Sequence, residues 1–178
     1  IRDRPPTDPP FRPSADDLVV ANAAYAADFS DGPRPGPPTR QLAVVTCMDA
    51  RVNPAALLGL GPGEAHVLRN AGGVVTDDTI RSVCLSQRAL GTREVLVRHH
   101  TRCGLEGLDD EAFAAEVEAD VGARPPWPAR GFADVASSVR QSVQRLADSP
   151  WLVDTTHIRG FVYDVDTGRL AEITPEED

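Results

Sequence analysis

The sequence predicts an α/β domain: a mostly parallel central sheet with an antiparallel edge strand, flanked by helices and preceded by an N-terminal helical arm. Two observations carry this. From Leu42 onward, short apolar runs rich in β-branched residues alternate with segments of helical periodicity, the order expected of βαβ units. Near the end, Asp166, Thr167 and Gly168 separate two such runs closely enough for a hairpin, which places an antiparallel strand at the edge. The chain's 178 residues are enough to bury one core, and no internal repeat divides them.

Residues 1–39 read as an arm and 40–178 as the α/β domain. The arm opens with five prolines in residues 1–13 and no periodicity. Ser14 then stands as an N-cap with Asp17 at the capping-box position, and Leu18, Ala21, Ala24 and Tyr25 follow at helical spacing to about Phe29. Glycine and proline break residues 30–39 into a linker. Residues 42–46 form a buried strand, 54–60 a short helix stopped by Gly61 and Gly63, and 65–68 a second strand. Thr76 or Asp77 caps a helix in which Ile80, Val83, Cys84, Gln87 and Leu90 share a face, ended by Gly91. A third strand covers 94–97, helices cover about 109–121 and about 132–147, and strands at 158–165 and 169–173 make the hairpin.

Composition removes several classes of function. The formal charge is −9, from 18 basic and 27 acidic side chains, a field that repels nucleic-acid phosphates. No apolar run approaches the roughly 20 residues that span a bilayer, and no stretch reads as a signal peptide, so the expected location is cytoplasmic. Three cysteines, an odd number, argue against a disulfide framework.

In open α/β sheets, ligands bind beyond the carboxyl ends of the strands. Cys47 directly follows the first strand, and His99 and His100 follow the third. Cys47, Asp49 and Arg51 present a thiol, a carboxylate and a guanidinium at alternate positions, while His100 and Cys103 lie three residues apart. Zinc takes such ligands tetrahedrally, and catalytic sites use three protein groups and leave one position open. Cys47, His100 and Cys103 make such a set. Other readings stand beside it. A cysteine at a strand end is often a small buried hydrophobe. A structural zinc site needs a fourth ligand, for which Cys84 and His99 are the candidates. A phosphatase-like nucleophilic cysteine needs an arginine six positions on, where this chain has Asn53. Asp49 and Arg51, read as an exposed ion pair, contribute at most about 1 kcal/mol.

Three segments together resemble the β-class carbonic anhydrases: Cys47-x-Asp49-x-Arg51, the run from Arg69 through Asn70 and Ala71 to Gly72, and His100-x-x-Cys103-Gly104. The compact length, Thr76-Asp-Asp78 and the strand through Gly160 and Tyr163 are most similar to an actinobacterial branch. The resemblance implies one zinc ion per chain and reversible hydration of carbon dioxide to bicarbonate through a metal-bound hydroxide. It implies that Asp49, held by Arg51, accepts a hydrogen bond from that hydroxide, or swings onto the metal when released. It also implies a homodimer or higher homo-oligomer in which the N-terminal helix embraces a neighbour. Related enzymes hydrolyse carbonyl sulfide or carbon disulfide at the same kind of site, and a non-catalytic zinc-binding regulator is the remaining alternative. Ala50, Gly73 and His99 depart from the family's commonest residues.

Further expectations attach to single residues. Arg69 and Asn70 fix the loop beneath the metal. Ala71, Gly72, Gly73 and Gly104 leave room for the backbone to approach a small substrate. His66 and His99 are proton-relay candidates because an unperturbed imidazole titrates near about 6.5; His99 has a second reading, orienting the site from behind the ligands.

Overall fold

The structure, a computed structural model, describes residues 13–30 and 32–174, so the proline-rich arm before Pro13 lies outside the described residues. The chain divides into a unit ending at Pro35 and one beginning at Gly36. The first contains helix α1, Ala15–Ala27. Ser14 occupies its N-cap, but the expected capping box is absent: at φ −114° and ψ 9° the residue lies outside the extended region that aims a cap hydroxyl at the first turn. No residue of α1 is buried, and Leu18, Val19, Val20 and Tyr25 are all exposed.

The second unit is built on strands β1 (Leu42–Cys47), β2 (Ala65–Asn70), β3 (Glu94–His100), β4 (Ile158–Tyr163) and β5 (Leu170–Ile173). Their order is β2-β1-β3-β4-β5; the first four run parallel and β5 pairs antiparallel with β4 at the edge. β1 is buried along its whole length between two neighbours, which explains its unbroken apolar run. Helices α2 (Pro54–Leu58), α3 (Asp77–Leu90), α4 (Asp110–Val121) and α5 (Val135–Ala147) fill the connections.

Most departures from the expected boundaries have local causes. α2 ends at Leu58 because Gly59 turns left-handed there. α5 begins at Val135, not Phe132, because the Asp134 carboxylate caps Ser137 N, while Phe132 is bonded through its backbone to Leu105 and Gly107. β4 stops at Tyr163 because the Asp164 carboxylate starts the turn by accepting from Asp166 N. In the other direction β1, β2 and β3 run on to Cys47, Asn70 and His100, so the third strand itself carries both histidines. Thr76 caps α3 in a reciprocal pair with Thr79.

α3 packs on β1 and β2, and α5 on β3, β4 and β5, over one face of the sheet. The core there joins Val45, Val75, Ile80, Val83, Val95, Val97, Leu146 and Leu152. Each such side chain contributes roughly 1.5–3 kcal/mol when fully buried. Gly160 lets α5 sit directly on β4, since a Cβ there would lie 2.5 Å from Val139 Cγ1. Among the described residues no helix is long and apolar enough to cross a membrane.

Candidate metal centre

Parallel pairing aligns the carboxyl ends of β1 and β3, with Thr46 opposite Arg98, and so brings Cys47 beside His100. The chain then turns and returns Cys103. One ligand atom from each of Cys47, His100 and Cys103 lies within 4.8 Å of the others, and all three residues are buried. His100 Nδ1 is 2.9 Å from the Thr101 carbonyl, which only a protonated nitrogen can satisfy. In the neutral ring Nε2 therefore carries the lone pair, and that atom is buried with no hydrogen-bond partner among the described residues. A buried acceptor without a donor is what a metal-ligating imidazole requires.

The two thiols titrate as a pair. The hydrogen bond from Cys103 stabilises a Cys47 thiolate, overcoming burial, with further help from His100. Cys103 is pushed up by its bond to that thiolate and by burial. A divalent cation replaces the shared proton and lets both ionise. His100 is held above its usual value: burial alone lowers it, but its contacts with Cys47, the Thr101 carbonyl and Asp49 outweigh that. Neither candidate for a fourth ligand joins the cluster. Cys84 Sγ donates to the Trp151 carbonyl at 3.4 Å, and His99 Nε2 is 3.1 Å from the Gly73 carbonyl. Three potential ligands remain, Cys47, His100 and Cys103, a donor set that suits catalytic zinc.

Asp49 stands beside this cluster, with Oδ2 3.7 Å from His100 Nε2. Arg51 grips it from the other side: its backbone N and Nε donate to Oδ1 at 2.9 Å each, and Nη2 donates to Oδ2 at 2.7 Å. Oδ1 is saturated, whereas Oδ2 keeps one lone pair free. The Arg51 hydrogen bonds hold the carboxyl well below the usual carboxylate range, so Asp49 is ionised at any working pH.

Arg69 does what the sequence suggested, donating to the Cys47 carbonyl at 3.1 Å and the Asp49 carbonyl at 2.8 Å. Asn70 accepts from Met48 N and donates to the Val74 carbonyl. The short 3-10 turn Ala71–Gly73 follows; Ala71 is exposed and Gly72 is buried against Leu105. Gly104 is exposed with open space around it. Gly73 sits at φ +72°, where a Cβ would lie 2.8 Å from Cys47 N. Gly73→Ala is therefore expected to cost about 1–3 kcal/mol and to displace a ligand's backbone. Thermal melts and metal content of that variant check this.

The two relay candidates sit in different surroundings. His66 pairs in register with Ala43, about 13 Å along the sheet from Cys47. Its Nδ1 shares a 2.7 Å hydrogen bond with Ser86 Oγ, so the ring is satisfied far from the cluster. His99 is buried, and burial lowers its pKa to about 4. The neutral ring keeps one N–H, on the Nε2 that faces the Gly73 carbonyl, and so ties the Gly73 turn to β3, in keeping with the orienting role. The folded value lies below the unfolded 6.5, so between pH 6.5 and about 4 only the unfolded chain binds this proton. Stability is expected to fall through that window by roughly 3 kcal/mol on acidification, and His99→Gln to flatten the slope in denaturant titrations. An unchanged slope would contradict this.

One residue that sequence reasoning missed is Arg98, buried at the middle of the sheet. Nη2 donates to Thr46 Oγ1 at 2.7 Å, the guanidinium lies 5.4 Å from the Tyr163 ring centroid, and burial brings its pKa down to about 10. A charged residue directly after the apolar run 95–97 was the available signal, and its attraction to Cys47 favours the thiolate.

Comparison with known proteins follows the same lines. The family model described as carbonic anhydrase matches residues 42–112. Beta-carbonic anhydrase 1 of Mycobacterium tuberculosis is 48% identical over 160 residues, spanning 90% of this chain and 98% of that protein. The crystal structure of carbonic anhydrase from Streptococcus mutans superposes with a TM-score of 0.86 at 39% identity, covering 92% of this chain and 99% of that one. A carbon disulfide hydrolase from Acidianus is 34% identical over 162 residues, 75% of this chain and 78% of that protein.

Proposed function

The chain belongs to the β-class carbonic anhydrase family, and from that premise we propose that it hydrates carbon dioxide reversibly to bicarbonate with one zinc ion held by Cys47, His100 and Cys103. The observation that carries this is an imidazole nitrogen with no hydrogen-bond partner among the described residues converging with two thiols, beside an ionised carboxylate. Bound zinc supplies a Lewis acid that acidifies water near neutral pH. Asp49 is an acceptor only, because Arg51 keeps it deprotonated. Its free Oδ2 lone pair takes a hydrogen bond from the attacking water and turns that water's own lone pair toward the substrate carbon. Arg51 fixes the carboxylate by two prongs, so the angle of that hydrogen bond is set before substrate arrives. Arg69 holds the peptide of Asp49 from below. Ala71, Gly72, Gly73 and Gly104 remain the candidates for a close backbone approach to a small neutral molecule, which is indifferent to the chain's acidic field.

The same reading includes a second copy of the chain. Helix α1 exposes Leu18, Val19, Val20 and Tyr25 and buries nothing, an apolar surface of the kind that a homodimer covers. Two thiolate ligands suit a reducing compartment such as the cytoplasm, and the cysteines are free. Hydrolysis of carbon disulfide is the second reading, favoured by the 34% identical hydrolase. Supplying zinc-loaded protein with carbon dioxide and with carbon disulfide separates them. Proton release from the first without sulfide release from the second is expected; the converse would transfer the assignment.

A further inference from the structure

We infer that Arg102 and Asp166 form a brace that positions Arg51, and through it Asp49, beside the metal centre; the inference rests on the zinc reading above. Arg51 has a second acceptor besides Asp49: its Nη2 donates to the Arg102 carbonyl at 3.0 Å. That carbonyl reaches Arg51 from an unusual backbone, since Arg102 has φ +56°, a left-handed conformation uncommon for a residue with a side chain. Something must hold the turn, and the contacts around it come from the β4–β5 hairpin. Arg102 Nη1 pairs with Asp166 Oδ1 at 2.6 Å. One residue earlier, Thr101 N donates to the Tyr163 carbonyl at 2.9 Å, and Thr101 Oγ1 accepts from Val165 N at 3.1 Å. Asp166 is itself located by Asp164, whose Oδ1 accepts from Asp166 N at 2.9 Å and whose Oδ2 accepts from Thr167 Oγ1 at 2.8 Å. The Asp166 carboxylate also stabilises the Arg51 charge directly.

The consequence lies with Asp49. Its Oδ2 is already 3.7 Å from a candidate ligand nitrogen, and zinc takes carboxylate oxygen among its ligands. Arg51 is what keeps that oxygen off the metal, so the orientation of Arg51 decides whether the fourth position stays open. Arg102 and Asp166 stand outside the ligand cluster and act through Arg51; they are positioning residues. Both side chains are more than half exposed, at 65% and 57%, which limits the pair to a two- to fivefold influence.

The test compares Asp166→Asn and Arg102→Gly with the unaltered zinc-loaded chain; glycine keeps the left-handed turn and removes only the side chain. Two quantities are read: kcat for carbon dioxide hydration, and the rate of zinc release to an excess of chelator. Each variant is expected to lose about two- to fivefold in kcat at unchanged KM while releasing zinc more slowly by a similar factor, because Asp49 has become a fourth ligand. Asp166→Glu should restore both values. A merely structural role moves release the opposite way, and faster zinc loss in the variants would overturn the brace, as would no change in either quantity. If the unaltered chain fails to hydrate carbon dioxide, the functional reading falls, while the release rates still decide the brace.

Discussion

Replacing Arg51 by alanine is expected to leave the fold intact and lower carbon dioxide turnover by about 10- to 100-fold, the range for losing the group that orients a metal-site residue. The Arg51 side chain is 49% exposed and fills no core space, so truncation opens no cavity. The loss falls on Asp49, which keeps only the backbone donor at Oδ1 and loses both side-chain prongs. Its carboxylate is then free to rotate over the 3.7 Å that separates Oδ2 from His100 Nε2 and to occupy the metal's open position. Arg51→Lys should recover only part of the activity, since an ammonium cannot offer two parallel donors. Stopped-flow hydration beside zinc content and circular dichroism checks the result. Near-normal turnover in a folded, zinc-loaded Arg51→Ala protein would show that the clamp has no role.

Cys47→Ser is the second large effect: zinc is expected to be lost on dialysis, and activity to fall by more than about 100-fold, beyond the range for orienting residues alone. Serine is close to cysteine in size, so the buried end of β1 should survive. The hydroxyl, however, does not ionise near neutral pH as the Cys47 thiol does with Cys103, His100 and Arg98 around it. Removing one thiolate also leaves the cation's charge half compensated in a buried site. Cys84→Ser is the matched control. Its sulfur donates to the Trp151 carbonyl and stands apart from the cluster, so metal content and turnover should not change. Retained zinc and activity in Cys47→Ser would remove Cys47 from the ligand set.

These effects were foreseeable from sequence to the extent that the groups sit at strand ends. Cys47 and His100 were legible because apolar runs mark the strands, and parallel pairing then forces their carboxyl ends together. The Asp49–Arg51 pair was legible because a single loop residue, Ala50, separates the partners too little for them to miss each other. The surroundings of the two histidines were not, because sequence does not say that His99 is buried against Gly73 or that His66 meets Ser86 at the far end of β2. Arg102 and Asp166 escaped for a related reason: 64 positions separate them, and no local pattern announces a contact made by folding a hairpin back over a turn. Ser14 shows the limit of local signals too, since its residue type promised a cap that its backbone angles do not deliver.

The most direct test is to titrate zinc into metal-depleted protein while measuring carbon dioxide hydration in the stopped flow. No turnover is expected without metal, then a linear rise and a plateau at one zinc per chain, with Cys47→Ser flat throughout. Stoichiometric zinc binding with no hydration at any point, or hydration by the metal-free chain, would contradict the proposed function.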